Sequence, residues 1–267
     1  MHIITAPFRL LLAALWLVLA IFSVLIVFLV VAPPSRQQAA LTACKTFFCR
    51  RLLTCLHIEV EFIGQMHPNT GLVVSNHISW LDVLLMTHYS HLHFIAKSEV
   101  KDWPIIGFLT QLLGTLFIRR ENKFQVYRSL PKGQKLLQRG ESLMVFPEGT
   151  TTHGDTTRAF YPMLFEIAVR EAAWVQPIAI RYWAHQDTPS IAVPFIDDDG
   201  IIGNILKLLI QKKTRAQVVF LPAIKATDYD RKALATLSKA NIDRVLASGI
   251  CPSTTRLTPF SQATILD

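Results

Sequence analysis

The sequence predicts an α/β protein: a largely parallel sheet flanked by helices, with an N-terminal hydrophobic membrane-anchoring helix and a second, amphipathic helix ahead of it. Three observations carry that prediction. From His57 onward, short β-rich runs alternate with helical stretches, the rhythm of strand–helix–strand units. Leu10 to Ala32 is a run of 23 positions in which Ser23 is the only polar residue. Of the 267 residues, 51% are hydrophobic and only 17% charged, which excludes a disordered polar chain, a collagen and a disulfide mini-protein. One domain plus an appendage suits this length, and the break near His57 gives segments 1–56 and 57–267.

The apolar run comes first. As a helix rising ~1.5 Å per residue it reaches ~35 Å, enough to cross a hydrocarbon core of ~30 Å with some tilt. A cleaved signal peptide fits less well, because the run is too long, only Arg9 precedes it, and no A-x-A site stands before Pro33-Pro34. Arg36, Lys45, Arg50 and Arg51 follow the run, so the positive-inside bias places the rest of the chain at the cytoplasmic face of the cell's inner membrane. Ser35 to Leu56 reads as the second helix, with Leu41, Cys44, Phe48, Leu52 and Cys55 at helical spacing and basic residues between them. Two placements stay open for it: packed on the domain, or lying in an anionic headgroup layer. Cys44, Cys49, Cys55 and Cys251 form no C-x-x-C pair and read as reduced apolar filler.

Beyond His57, Ile58 to Ile63 alternates apolar and acidic residues, as a half-exposed strand does. Further strands are expected at Leu72–Ser75, His93–Ala96, Thr115–Ile118, Leu143–Phe146, Ile178–Tyr182 and Val218–Leu221. Helices are expected between them, at Trp80–Thr87, Ile105–Leu113, Phe124–Arg139, Phe165–Ala173, Ile201–Lys213 and Tyr229–Leu246.

Several chemistries are set aside by what the chain lacks. There is no G-x-G-x-x-G, no G-x-x-x-x-G-K-[ST], no H-E-x-x-H and no G-x-S-x-G. His88, His91 and His93 cluster without a Cys or carboxylate in ligand spacing, so a surface loop is expected there and no metal. Asp197-Asp198-Asp199-Gly200 reads as an acidic turn before a helix. The net charge of +8 is explained by a membrane anchor with basic flanks, and no nucleic-acid partner is expected.

The chemistry concentrates where the strand Leu72–Ser75 runs into Asn76-His77-Ile78-Ser79-Trp80-Leu81-Asp82. On one regular helix, positions i and i+5 lie ~140° apart and do not meet. If His77 sits in the strand-to-helix turn and Asp82 in the first helical turn, the carboxylate can reach back to the imidazole. Asp82 would then fix the tautomer and leave the other ring nitrogen as a general base. The segment alone also allows a capping Asp and a packed His.

This stretch resembles the first signature block, N-H-x-S-x-x-D, of the glycerolipid acyltransferase family, whose best-known members acylate lysophosphatidate. Later blocks follow in order. Lys97-Ser98-Glu99, Pro104 and Gly107 resemble the connecting K-x-E-…-P-…-G stretch. Gly114 to Arg120 is similar to G-x-x-F-I-x-R, which puts the arginine on Arg120 and leaves Arg119 at the variable position. Phe146-Pro147-Glu148-Gly149-Thr150 matches F-P-E-G-T, and Val175-Gln176-Pro177-Ile178 resembles the proline-centred fourth block. The resemblance spans about residues 50 to 225.

It implies transfer of an acyl group from acyl-CoA or acyl-carrier protein to the free hydroxyl of a membrane lysophospholipid, with no metal or organic cofactor. His77 would be the base and Asp82 its orienter. Substrate contact would fall to Asn76, Ser79, Lys97, Arg120, Glu148, Gly149 and Thr150, with Arg120 pairing an acceptor phosphate and Glu148 binding glycerol hydroxyls or holding Arg120. Pro177 would shape the strand start and acyl site, and backbone N–H groups after His77 are candidate oxyanion donors. Lysophosphatidate, acylated at sn-2, is the leading acceptor. Two departures weaken it: many family members read F-P-E-G-T-R-S where this chain has Thr150-Thr151-Thr152, and an F-K-x-G-like element is replaced by Phe160-Tyr161-Pro162-Met163. Both remove positive charge, with Arg158 nearby to compensate, so a zwitterionic or amino-acid-containing lysolipid is the alternative acceptor. A catalytically silent lipid-binding protein on the same fold is the alternative class, and the intact His77 and Asp82 argue against it.

Overall fold

In the computed structural model, which describes residues 2–102, 107, 110, 115–118, 123–184, 188–196 and 200–248, eight strands join one sheet. They are β1 (Ile58–Ile63), β2 (Thr70–Ser75), β3 (Leu92–Lys97), β4 (Leu116–Ile118), β5 (Ser142–Val145), β6 (Trp174–Trp183), β7 (Thr214–Phe220) and the two-residue β8 (Ile224–Lys225). Their order is β1-β7-β6-β2-β5-β3-β4, with β8 on the end of β6. Pairing is parallel from β6 through β2, β5 and β3 to β4, and between β1 and β7. Only β7 and β8 meet β6 in antiparallel sense. Because β2, β3, β4 and β5 are mutually parallel, the loops leaving them gather at one edge of the sheet, the usual place for a ligand in an open α/β fold.

Side-chain alternation builds a core on each face. Val73, Met144, Ile180 and Val218 pack on one side with Leu53, Leu85 and Leu208. Those come from helices α2 (Pro34–Cys55), α3 (Leu81–Tyr89) and α6 (Ile201–Ile210). Leu72, Val74, Val145 and Val219 point the other way, onto Leu130, Ile167 and Ile242 of helices α4 (Lys123–Gln138), α5 (Glu166–Arg170) and α7 (Arg231–Ala247). Every strand expected from the sequence is present; β8 is additional, and the helix expected at 105–113 lies largely outside the described residues. Pro177 is not at a strand start but is the fourth residue of β6, in the gap between the β8 pairing at Trp174–Val175 and the β7 pairing that begins at Ile178. A missing N–H is tolerated there because no ladder bond on that side needs it.

The N-terminal helix α1 (His2–Val30) contains Ala6–Val30, 25 residues long and apolar enough to cross a membrane. Phe8, Leu11, Leu15, Phe22 and Leu29 on it are exposed, a greasy surface that suits lipid rather than water. Its buried side runs antiparallel to α2: Trp16 meets Phe47 and Phe48 edge-on, at centroid separations of 5.7 and 6.0 Å. Arg9, expected only as a flanking charge, is buried and donates from Nε to the Cys55 carbonyl at 2.8 Å and from Nη1 to the Leu209 carbonyl at 2.5 Å. It thereby ties α1 to the ends of α2 and α6. Of the two placements open for the second helix, α2 takes the first: Phe48, Leu53 and Cys55 are buried, and Thr46 donates to the Thr87 carbonyl of α3. Cys44, Cys49 and Cys55 are free thiols, and burial pushes Cys49 up to about 12, as expected for inert filler; Cys251 lies outside the described residues.

Candidate active site

Strand β2 ends at Ser75, and the chain turns through Asn76–Trp80 before α3 begins. That turn allows the contact a continuous helix would forbid. Nδ1 of His77 lies 2.7 Å from Oδ2 of Asp82. The same oxygen accepts the backbone N–H groups of Ile78 at 2.7 Å and Ser79 at 3.0 Å, so Asp82 caps the turn and holds the imidazole with one carboxylate. Its other oxygen accepts the Tyr182 hydroxyl at 2.7 Å from β6. Asp82 is fully buried, and burial together with that carboxylate raises the Tyr182 phenol well above its ordinary value, so it stays a donor. With Nδ1 facing an acceptor, the His77 proton belongs on that nitrogen and the lone pair on Nε2. The ring is only partly buried, and it stacks on Phe146 at 4.0 Å with planes 11° apart.

Phe146 opens the turn after β5, the neighbour of β2, which is how the F-P-E-G-T block reaches the histidine. Glu148 there is buried and grips backbone: Oε1 accepts His77 N and Oε2 accepts Arg158 N, both at 2.8 Å. Burial raises its pKa, against the opposing pull of those two N–H groups. Gly149 turns the chain with φ +77°, a conformation that favours glycine. Thr152 N donates to the His77 carbonyl at 2.8 Å, and the Thr151 hydroxyl donates to the Phe195 carbonyl. Gly154, at φ +85°, lies against Ile78, where an added Cβ would come 2.3 Å from Cδ1. The histidine turn is thus clamped from both sides by the loop after β5.

The remaining expected site residues are placed as follows. Asn76 is buried with both amide atoms used, Nδ2 donating to the Ile180 carbonyl at 2.9 Å and Oδ1 accepting Ile180 N at 2.8 Å. Ser79 is also buried, its hydroxyl accepting Leu81 N at 3.4 Å. Lys97 ends β3 at the same sheet edge, in an exposed ion pair with Glu99 at 3.1 Å, and Thr150 is exposed. Strand β4 stops at Ile118; Arg119 and Arg120 lie outside the described residues, as do Pro104, Gly114 and Asp197–Asp199. Of the backbone N–H groups expected as oxyanion donors after His77, four are engaged: Ile78 N and Ser79 N serve Asp82, Leu81 N serves the Ser79 hydroxyl, and Asp82 N serves the Ser79 carbonyl. Tyr182 was not foreseen. It lies 100 residues beyond Asp82, and only the pairing of β6 with β2 brings it there.

Among the described residues, a buried carboxylate holds an imidazole at the edge where the parallel strands end, and no Ser or Cys side chain is hydrogen-bonded to that ring, an arrangement open to the class of enzymes that activate a substrate hydroxyl. The comparisons narrow that class. A family model described as Acyltransferase matches residues 57–181. A lyso-ornithine lipid O-acyltransferase of Pseudomonas aeruginosa is 34% identical over 206 residues, 77% of this chain and 79% of the relative. A 1-acyl-sn-glycerol-3-phosphate acyltransferase of Neisseria meningitidis is 32% identical over 219 residues, 80% of this chain and 83% of that one. The crystal structure of the 1-acyl-sn-glycerophosphate acyltransferase PlsC from Thermotoga maritima superposes with a TM-score of 0.69 at 19% identity, over 92% of this chain and 95% of that chain, a likeness of fold. The chain belongs to the glycerolipid and lysophospholipid acyltransferase family and is an acyltransferase.

Proposed function

We propose that this enzyme esterifies the free hydroxyl of a lysolipid with a fatty acyl group taken from acyl-CoA or acyl-carrier protein, and that its acceptor is an amino-acid lysolipid of the lyso-ornithine class. Nε2 of His77 takes the hydroxyl proton as the oxygen attacks the thioester carbonyl. The tetrahedral adduct then expels the thiolate, and His77 returns the proton to sulfur. Asp82 holds the tautomer and stabilises the imidazolium that forms between the two steps. Asn76 and Glu148 serve as scaffold in this scheme, since both polar atoms of each are bonded to backbone, and Ser79 supports the turn by accepting Leu81 N.

One observation carries the acceptor assignment. The strip after Glu148-Gly149 has hydroxyls where phosphate-binding relatives place an arginine, and Thr151 there is turned onto the Phe195 carbonyl. The 34% identity to a lyso-ornithine lipid O-acyltransferase supports it. An amino-acid headgroup still presents a carboxylate, which the Arg120 guanidinium can grip with the fork it would use for phosphate. The α1 surface and the basic residues Arg36, Lys45, Arg50 and Arg51 keep the site at the cytoplasmic face of the cell membrane, where a lipid acceptor meets a soluble donor.

The test is thioester turnover by purified protein in detergent, read as free thiol with oleoyl-CoA or acylated carrier protein. Lyso-ornithine lipid, lysophosphatidate and lysophosphatidylethanolamine are compared as acceptors. The expected order puts lyso-ornithine lipid first, by about tenfold or more in kcat/KM, a difference of ~1.4 kcal/mol. Preference for lysophosphatidate would overturn the acceptor assignment but keep the reaction class. Arg120→Ala is expected to weaken use of all three acceptors, since each presents a carboxylate or a phosphate, and to spare a lysolipid that carries no anionic group.

A further inference from the structure

At the opposite edge of the sheet from His77, three potential metal ligands converge. His91 precedes β3 and His93 lies within it, so the pair has the i, i+2 spacing that sets both rings on one face of an extended chain. Glu141 precedes β5, and the β3–β5 register, Leu92 against Ser142, brings it level with His91. One ring nitrogen from each of His91 and His93 and a carboxylate oxygen of Glu141 all lie within 4.8 Å of one another. We infer that His91, His93 and Glu141 form a binding site for a divalent transition-metal ion, zinc being the best fit, which joins the starts of β3 and β5 beside helix α2.

The donor set is two imidazoles and one carboxylate, which suits zinc and leaves a fourth position for water. All three side chains are largely shielded, at 26%, 11% and 18% exposure. Nε2 of His93 is hydrogen-bonded to Oε2 of Glu141, whereas Nε2 of His91 stands 4.0 Å from that oxygen. That nitrogen is buried and has no hydrogen-bond partner among the described residues. Its other ring nitrogen, Nδ1, is 3.3 Å from the Thr42 hydroxyl; a proton held there leaves the Nε2 lone pair aimed at the cluster. In a tetrahedral zinc site, donor atoms at ~2.0–2.2 Å from the metal stand ~3.3 Å apart, so His91 has to close, and the His93–Glu141 contact has to open, by on the order of 1 Å each.

The surroundings hold these donors in place. Gly140 ends α4 with φ +77°; Gly140 N bonds the Leu137 carbonyl and Glu141 N the Leu136 carbonyl, a helix cap that fixes the Glu141 backbone. Gln38 of α2 donates to Oε2 of Glu141 at 3.4 Å, one helical turn from Thr42, so α2 supplies outer contacts to two of the ligands. Burial does most to disfavour a positive charge at His91; His93 and then Lys45 of α2 add to it, and Glu141 opposes them. Sequence spacing hides the site because Glu141 is 48 residues beyond His93. Six-residue strands at ~3.3 Å per residue put it ~20 Å from the His77 edge, so the ion would be structural.

The experiment uses the full chain, purified in detergent through a tag without histidines, stripped with chelator, and re-exposed to Zn2+ or Co2+. Metal retained through gel filtration is measured by mass spectrometry, and four-coordinate Co2+ by its visible absorption. Expected are one equivalent of Zn2+ per chain, a Co2+ spectrum with mixed nitrogen and oxygen ligation, and a rise in Tm on zinc addition. His93→Ala should lose the metal, and Glu141→Gln should weaken it by at least about tenfold. Lys45→Gln should tighten it, with unchanged circular dichroism confirming the fold of each variant. Substoichiometric metal in the wild type, or equal uptake by His93→Ala, would overturn the site.

Discussion

Asp82 and His77 are five residues apart and in hydrogen-bond contact, Oδ2 to Nδ1 at 2.7 Å, because the chain turns between β2 and α3 instead of continuing as helix. The same carboxylate oxygen ties down Ile78 N and Ser79 N, so orienting the imidazole and folding the turn are one act. His77→Ala is therefore expected to lose ~10²–10⁴ of turnover while the sheet stays folded, since the ring is only partly buried. Asp82→Ala should lose turnover and stability together, because two backbone donors and a phenol are left unpaired in a buried place, at ~1–3 kcal/mol each. Thiol release and Tm measured on both variants separate the two predictions. A His77→Ala enzyme with unchanged rate would remove histidine from the mechanism.

Tyr182 tests the next layer. Among the described residues its hydroxyl is the one donor to Oδ1 of Asp82. Tyr182→Phe keeps the ring and deletes the bond, leaving a buried carboxylate oxygen unsatisfied at ~1–3 kcal/mol. If about half of that reaches the transition state through a looser imidazole, kcat falls ~2–13-fold with KM unchanged. A change in KM alone would show that Tyr182 shapes the substrate site and does not position Asp82.

What the sequence made legible was local. Alternation and helical spacing found the seven longer strands, while β8, at two residues, is too short to show a period. Strand β6 begins four residues earlier than its apolar run suggests, because Gln176-Pro177 interrupts the pattern although both lie in the ladder with β2. The His77–Asp82 pair was readable because its partners are only five residues apart, one in the turn after β2 and the other in the first turn of α3. Glu148 was readable as a site residue but not in its use, since its partners are backbone N–H groups in two different loops. The partners Tyr182 and Glu141 are set by strand register, which no local window contains.

Arg9 makes a prediction about the anchor. Its guanidinium satisfies two carbonyls at the ends of α2 and α6, where helices otherwise leave acceptors unpaired. Arg9→Met keeps most of the apolar stem and removes both bonds, at ~1–3 kcal/mol. Limited proteolysis in detergent should then cut between α1 and α2 faster, with thiol release changed far less than by His77→Ala. Equal protease resistance would mean that α1 is held by its apolar contacts alone.

Acid stability offers a separate check on the face away from the site. The hydrogen bond from Arg170, at 2.9 Å, does most to hold Glu166 below the usual carboxylate range; burial opposes it, and a second bond from Arg231, also at 2.9 Å, adds to it. A carboxylate whose folded pKa is depressed contributes stability above its unfolded value, and that contribution is lost as pH falls through the folded value. Charged hydrogen bonds are worth ~1.5–3 kcal/mol, but the Arg170 and Arg231 side chains are 42% and 35% exposed, so solvent screening reduces the pair to about 1 kcal/mol. Glu166→Gln should therefore lower Tm by ~2–4 °C at neutral pH. The gap between wild type and variant should stay constant down to about pH 5 and close below it, as the wild-type carboxylate takes up its proton. A gap that persists unchanged to about pH 3 would mean that Glu166 contributes through packing and not through its charge.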